Sequence, residues 1–267
     1  MEYNLQQFLF ITDLDHTLVG DDQSMEKLNQ RLNIHRQEHN TKIVYSTGRS
    51  LFLYQQLEKE QEDKDKKLLK PDILICAVGT EIYNYDAQYK LTLNEKWSEH
   101  LSQAWDRELV KKIADNFIKL IPQPESEQRP FKVSYFLEEK NAPQVLSELE
   151  NSLGNAGLDI QVIYSYSDHK IYNNLDILPS QANKGLAMTF VREHLEIDAA
   201  KTVACGDSGN DIALFANREE KGIIVANAKQ ELLDWHNKNP NKNRYLAKTK
   251  FAAAIEEGLQ YFGFLVE

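Results

Sequence analysis

Asp13 and Asp15 stand two residues apart, directly after the apolar run Phe8 to Ile11. Where a strand ends, side chains at i and i+2 point the same way, so both carboxylates can face one small, highly charged ligand. A divalent ion between them removes their mutual repulsion. One could then act as nucleophile and the other as proton donor, the division of labour that an aspartyl-phosphate mechanism needs. A lone Asp-x-Asp is more often a pair of solvated loop carboxylates, so the weight falls on the rest of the chain. Tyr45-Ser46-Thr47-Gly48-Arg49 closes a second apolar strand, Lys42 to Tyr45, and leads into a helical pattern. Small hydroxyls and a glycine at that point let backbone N–H groups approach a phosphate at a helix start. Asn183-Lys184-Gly185 opens another helical segment and offers an ammonium with no bulky neighbour. Val203-Ala204-Cys205-Gly206-Asp207-Ser208-Gly209-Asn210-Asp211 puts two more carboxylates in a glycine-rich turn after a fourth strand.

These four segments, in this order, resemble the signature elements of the haloacid dehalogenase superfamily of phosphohydrolases. By that resemblance Asp13 falls on the nucleophile and Asp15 on the general acid and base. Thr47 and Lys184 fall on the phosphate-holding hydroxyl and lysine, with Gly48 and Asn210 also at the phosphate. Asp207 matches the third magnesium carboxylate, and Asp211 stands behind it, holding metal or lysine in place. Within the superfamily the chain is similar to sucrose-phosphate phosphatases of the cyanobacterial and plant type. The segments that carry this are Asp13-Leu14-Asp15, Thr47-Gly48-Arg49-Ser50, Ala77-Val78-Gly79-Thr80-Glu81-Ile82-Tyr83, Lys132-Val133-Ser134-Tyr135 and Asn183-Lys184-Gly185.

The resemblance implies Mg²⁺-dependent hydrolysis of sucrose 6-phosphate to sucrose and phosphate, the final step of sucrose synthesis. Uncatalysed hydrolysis of a phosphate monoester is so slow that up to about 10²¹-fold acceleration is needed, which no single residue can supply. Mg²⁺ held by Asp13, the backbone carbonyl of Asp15 and Asp207 would neutralise and orient the phosphate. Thr47 and Lys184 would bind the equatorial charge. Asp13 would attack in line, and Asp15 would protonate the departing sugar oxygen and then deprotonate the water that cleaves the aspartyl phosphate. Strand alternation points His16 away from both carboxylates, so it reads as packed or solvated. Sugar choice falls to Glu81, Lys132, Ser134, Tyr135 and Asp176, whose acceptors, donors and ring face suit sugar hydroxyls and whose segments are expected to line the cleft.

The elements that must position these residues alternate along the chain. Short β-branched or aromatic runs (8–12, 42–46, 73–77) are interleaved with helical patterns (25–36, 51–57), and the rhythm returns from Gly185 to Asn237. That alternation predicts an α/β fold with a Rossmann-like parallel-sheet core built from βαβ crossovers, its motifs at the C-terminal strand ends where such sheets keep their ligand crevice. Residues 1–83 and 180–267 are assigned to this catalytic core. Between them the rhythm changes, and 84–179 read as an inserted α+β cap on an antiparallel sheet. It opens with a hairpin around Asn84 to Leu93, followed by a long helical pattern from Trp97 to Leu120. Trp97 and Trp105 fall on one face of that pattern, which suits packing. The charge run Glu58 to Lys70 reads as a solvated helix end.

With 267 residues the chain is long enough for two cores, and 27% charged with 42% hydrophobic residues is ordinary soluble globular composition. A formal net charge of −10 argues against nucleic acid or an anionic membrane surface as partner. A local Lys184, Arg49 and a metal can still reverse the field inside one cleft. Cys76 and Cys205 sit in apolar strand-like runs outside any Cys-x-x-Cys pair, so they read as buried free thiols, in keeping with a reducing compartment. No basic n-region opens the chain and no apolar stretch approaches the roughly 18 residues of a membrane span, so a cytoplasmic monomer is expected. Its partner is a small-molecule sugar phosphate, with a sucrose-phosphate synthase as a further partner. The close rival is a phosphatase for another sugar phosphate, such as trehalose phosphate or mannosylphosphoglycerate. A rival from another class is a non-catalytic sugar-phosphate-binding regulatory domain, against which the intact Asp13, Asp15, Lys184 and Asp207 count.

Overall fold

The computed structural model describes residues 6–266 apart from 87, 89, 104, 168–170 and 217. Its large sheet is built on β1 (Leu9–Thr12), which pairs in parallel with β2 (Lys42–Ser46) on one side and β10 (Thr202–Gly206) on the other. β3 (Ile73–Cys76) continues the sheet beyond β2, and β11 (Lys221–Ile224) and β12 (Arg244–Leu246) continue it beyond β10, all parallel. The antiparallel pair β4 (Glu81–Tyr85) and β5 (Leu91–Leu93) completes eight strands in the order β12-β11-β10-β1-β2-β3-β4-β5.

The near-continuous apolar character of β1 follows from burial on both faces. Phe8 and Phe10 enter one core with Met25, Leu28 and Leu32 of α1 (Asp22–His39), Tyr54 and Leu57 of α2 (Leu51–Asp63) and Ile255 and Leu259 of α9 (Phe251–Tyr261). Leu9 and Ile11 enter the opposite core with Ala187, Met188 and Val191 of α6 (Lys184–His194), Leu214 of α7 (Ile212–Phe215) and Leu232 of α8 (Gln230–Lys238). Helices therefore cover both faces, as the α/β reading expects. Thr12 pairs with Tyr45 and with Cys205, so the first, second and fourth motifs leave the sheet side by side at its C-terminal edge.

A second, antiparallel sheet has the order β6-β7-β9-β8, from β6 (Ile121–Pro122), β7 (Val133–Glu138), β9 (Tyr172–Pro179) and β8 (Ile160–Ser165). One face carries Val133, Tyr135, Leu137, Leu175 and Ile177 into a core with α4 (Arg107–Ala114) and α5 (Ala142–Asn155). Period-two alternation turns Ser134, Asn174 and Asp176 to the other face.

Three expectations about elements change. The Asn84–Leu93 hairpin extends the large sheet instead of opening the insert, because Ile82 and Tyr83 are buried in the two large-sheet cores. The long helical pattern from Trp97 to Leu120 divides into α3 (Glu95–Ser102) and α4, since Asn94 and Asp106 each cap a separate helix start through Trp97 N–H and Leu109 N–H. The two tryptophans consequently serve different cores: Trp97 is buried beside the large sheet and Trp105 packs against the small one. Among the described residues, no helix is long and apolar enough to cross a membrane.

Candidate active site

Asp13 continues β1 by one residue, its N–H bonded to Cys205 O at 3.0 Å. Lys184, the first residue of α6, is wholly buried, and its ammonium donates to Asp13 Oδ1 at 2.6 Å and to Asp211 Oδ1 at 2.7 Å. The helix start that delivers it is capped by Asn183, whose side chain accepts from Leu186 N–H at 2.8 Å. Asp211 turns its other oxygen to the N–H groups of Asp207 (2.9 Å) and Ser208 (3.1 Å), so it braces the lysine and the loop together. Gly206 is required by this packing, because a Cβ there would stand 2.5 Å from the Asp211 side chain.

Carboxylate oxygens of Asp13, Asp207 and Asp211 lie within 4.8 Å of one another. Asp207 Oδ1 accepts from Thr17 Oγ1 at 3.4 Å, while its buried Oδ2 has no hydrogen-bond partner among the described residues. One ammonium cannot balance three carboxylates. Burial, then the neighbouring carboxylates, hold Asp207 far above the ordinary carboxylate range. Burial likewise raises Asp13, against the opposing pull of Lys184. For Lys184, burial alone would lower the ammonium's pKa, but Asp13 and Asp211 outweigh it and leave it raised. An orphaned carboxylate oxygen, excess negative charge and hard oxygen donors fit a small divalent cation.

Thr47 is buried at the end of β2, with its N–H on Ile75 O (2.9 Å) and its hydroxyl accepting from Arg49 N–H (3.1 Å). A Cβ on Gly48 would lie 3.5 Å from Asn210 Nδ2, so the second and fourth motifs meet there. Asp15 is half-buried and clamped by the Arg49 guanidinium, Nε to Oδ2 and Nη2 to Oδ1, both at 2.7 Å. Arg49 had been read only as local positive charge; the bidentate pair makes it a direct partner of Asp15. The alternation argument for His16 fails. The strand stops at Thr12, His16 takes a left-handed φ of 59°, and it lines the same cavity as Asp13 and Asp15.

That cavity, about 240 Å³, adjoins a second of about 380 Å³, and Gly48, Ser165, Asn174 and Asn210 line both. The second reaches Arg49, Glu127, Lys132 and Asp176. Ser134 and Asp176 pair across β7 and β9, and Asp176 Oδ1 accepts from Ser134 Oγ (2.6 Å) and from the buried Lys132 ammonium (3.2 Å). Three of the five sugar candidates are thus brought together. The other two are not. Tyr135 faces the opposite side of β7, inside the small-sheet core, with its hydroxyl on Asp115 at 2.8 Å. Glu81 is buried under an ion pair with Arg129 at 2.7 Å and accepts from Tyr83 OH at 2.9 Å. Ser165, Asn174 and Glu127 line the cleft without having been singled out. Asn174 was within reach, since it shares strand parity with Asp176.

A family model described as sucrose-6F-phosphate phosphohydrolase matches residues 6–263. A protein of Arabidopsis thaliana named a probable sucrose-phosphatase is 39% identical over 96% of this chain and 60% of its own length. The mannosylfructose-phosphate phosphatase of Agrobacterium fabrum is 31% identical over 96% of each chain. The X-ray structure of the sucrose-phosphatase of Synechocystis sp. PCC6803, in complex with sucrose and phosphate, superposes with a TM-score of 0.87 at 38% identity, over 97% of this chain and 99% of that one. The chain spans about 60% of the length of the plant relative. With these likenesses running through both sheets and all four motifs, the chain belongs to the sucrose-6F-phosphate phosphohydrolase family.

Proposed function

We propose that this chain is a Mg²⁺-dependent phosphatase that hydrolyses sucrose 6-phosphate to sucrose and phosphate through an aspartyl phosphate on Asp13. The observation that carries the reading is the pair of adjoining cavities, one lined by Asp13, Asp15 and Asp207 and the other by Asp176 and Lys132, with four residues lining both. A phosphate needs the first set and sugar hydroxyls suit the second. The Synechocystis relative is described in complex with sucrose and phosphate, which supports a site that takes both.

Asp13, Asp207 and the backbone carbonyl of Asp15 would hold Mg²⁺, which when bound supplies charge neutralisation at the phosphate. Lys184 pulls Asp13 toward its ionised form and aims it, and with Thr47, Gly48 and Asn210 it binds the equatorial oxygens. Asp211 fixes Lys184. Once its carboxylate leaves the Arg49 clamp and takes up a proton, Asp15 gives that proton to the leaving sugar oxygen and then takes one from the attacking water. We assign the chemistry to the large-sheet core and the choice of sugar to the small-sheet insert, through Lys132, Ser134 and Asp176.

The test is phosphate release from sucrose 6-phosphate, trehalose phosphate, mannosylfructose phosphate and a small ester, with Mg²⁺ and then with EDTA. Sucrose 6-phosphate is expected to have the highest kcat/KM, and EDTA to abolish release from all four. Undiminished activity after exhaustive EDTA treatment would overturn the metal scheme. The Agrobacterium relative favours one second reading, another disaccharide phosphate as substrate; preference for such an ester would change the sugar and leave the catalytic roles.

A further inference from the structure

Ala77, Val78 and Gly79 follow β3 with φ of 51°, 61° and 95°. Three successive residues in the left-handed region are costly for any chain, and a β-branched valine there is a true outlier. Such strain persists only where the surroundings over-determine it. Here they do so from two sides. Ala77 N–H donates to Arg49 O at 2.8 Å and Val78 N–H to Thr47 O at 3.1 Å, so the turn holds both carbonyls that flank Gly48 in the phosphate-binding loop. On the other side Gly79 lies against the start of α6, where a Cβ would stand 2.3 Å from Asn183 C and 2.7 Å from Lys184 N. Trp97 Nε1 donates to Gly79 O at 3.0 Å and fixes the turn from behind. The buried Val78 side chain lines the cleft and comes under Gly48, whose Cβ would lie 3.9 Å from Val78 Cγ2.

We propose that Ala77-Val78-Gly79 is a positioning turn that sets the distance between the Thr47–Arg49 loop and the N-terminus of α6. It thereby decides where Thr47 and Lys184 meet the transferring phosphoryl group. The inference rests on the phosphate-site reading above. None of the three residues touches the reacting atoms; they act through Thr47 and Lys184. Gly79 is the point of closest backbone approach, and any side chain there must push the α6 start away.

The test compares Gly79→Ala with Gly157→Ala, each assayed with Mg²⁺ on p-nitrophenyl phosphate, for inorganic phosphate binding and for thermal midpoint. Gly157 also has a positive φ, 75°, but faces open space after α5, so its substitution imposes comparable backbone strain away from the site. A displacement of about 1 Å can cost roughly 10²-fold in rate, so Gly79→Ala should lose about 10- to 100-fold in kcat and bind inorganic phosphate about tenfold more weakly, well below its midpoint. Gly157→Ala should lower the midpoint alone. Retention of kcat and phosphate affinity within about twofold by folded Gly79→Ala would overturn the proposal, as would equal catalytic losses in Gly157→Ala. If Gly79→Ala does not fold, Val78→Gly keeps the left-handed backbone and removes the wedge under Gly48. It should lose about fivefold or more in kcat and phosphate affinity, and unchanged values would again overturn the inference. Neither probe carries a sugar, so failure of the sucrose 6-phosphate preference leaves this result intact. Should the wild-type protein hydrolyse no ester at all, the functional reading fails and the phosphate-binding comparison still decides the role of the turn.

Discussion

Asp13 and Asp211 share one buried ammonium, whose pull opposes the burial that raises the Asp13 carboxyl. Asp13→Asn keeps the shape of the side chain and removes the carboxylate proposed to form the acyl phosphate. Turnover should fall by at least about 10³-fold while binding of sucrose 6-phosphate survives. Phosphate release and calorimetric binding check this, and an Asp13→Asn variant that retains most wild-type release would remove Asp13 from the nucleophile's role. The thermal midpoint should hold or rise, because one of three crowded carboxylates is gone. Lys184→Ala should do the opposite. It leaves Asp13 and Asp211 buried without a cation, a kind of loss that costs about 3 to 5 kcal/mol, so its midpoint should fall clearly. In the sequence Asp13 stands out after a strand, Lys184 at a helix start and Asp211 in a glycine-rich turn, which marks the three residues without fixing their contacts. The Arg49–Asp15 clamp was not legible, since nothing in a separation of 34 residues fixes which carboxylate a guanidinium will reach.

Elements were legible where the periodicity was strong and ambiguous where one pattern could serve two structures. The αβ alternation of the core follows from strands buried on both faces, and β1 divides its apolar residues between two cores as period two requires. The Trp97–Leu120 pattern failed because two consecutive capped helices carry the same apolar spacing as one long helix. Tyr135 failed for the converse reason: Lys132 and Phe136 line the cleft, and parity on β7 turns the residue between Ser134 and Phe136 into the small-sheet core. Helix α1 carries an element-scale consequence of packing. His35 is buried against Phe8, its Nδ1 2.7 Å from Thr41 Oγ1, and its Nε2 has no partner among the described residues. Burial, then the neighbouring His39, pushes its pKa from 6.5 down to about 4. The unfolded chain therefore binds the proton first as pH falls. Stability from this residue is fully present above about 6.5 and is lost on the way down to about 4. The loss should be on the order of 2 kcal/mol. Thermal midpoints measured between pH 7 and 4.5 should fall less steeply in His35→Gln than in the wild type. Parallel slopes would mean that other groups govern acid unfolding.

At the scale of the molecule, the large sheet supplies the first, second and fourth motifs from three adjacent strand ends and the third from the start of α6, while the small sheet faces them across the cleft. Polar contacts join the halves beside that cleft, among them Ser50 Oγ to Glu127 at 2.8 Å, Arg129 to Glu81 at 2.7 Å and Tyr166 N–H to Glu231 at 3.2 Å. The sequence announced an insert through its change of rhythm, but its start was misjudged because a hairpin reads alike whether it extends one sheet or begins another. The division of tasks proposed for the two halves can be measured. Lys132 and Asp176 line the cleft from the insert side. Lys132→Ala should therefore raise KM for sucrose 6-phosphate far more than for p-nitrophenyl phosphate, the uneven loss that marks removed substrate binding. A buried polar contact is worth about 1 to 3 kcal/mol, so about tenfold or more is expected at a true sugar contact. Tyr135→Phe is the internal comparison. Its hydroxyl serves Asp115 on the far face of the same sheet, so it should lower the thermal midpoint and leave both KM values in place. Equal losses on both substrates in Lys132→Ala would put the lysine in the folding of the insert, and a KM effect in Tyr135→Phe would mean that the sheet transmits strain from its core face to the cleft.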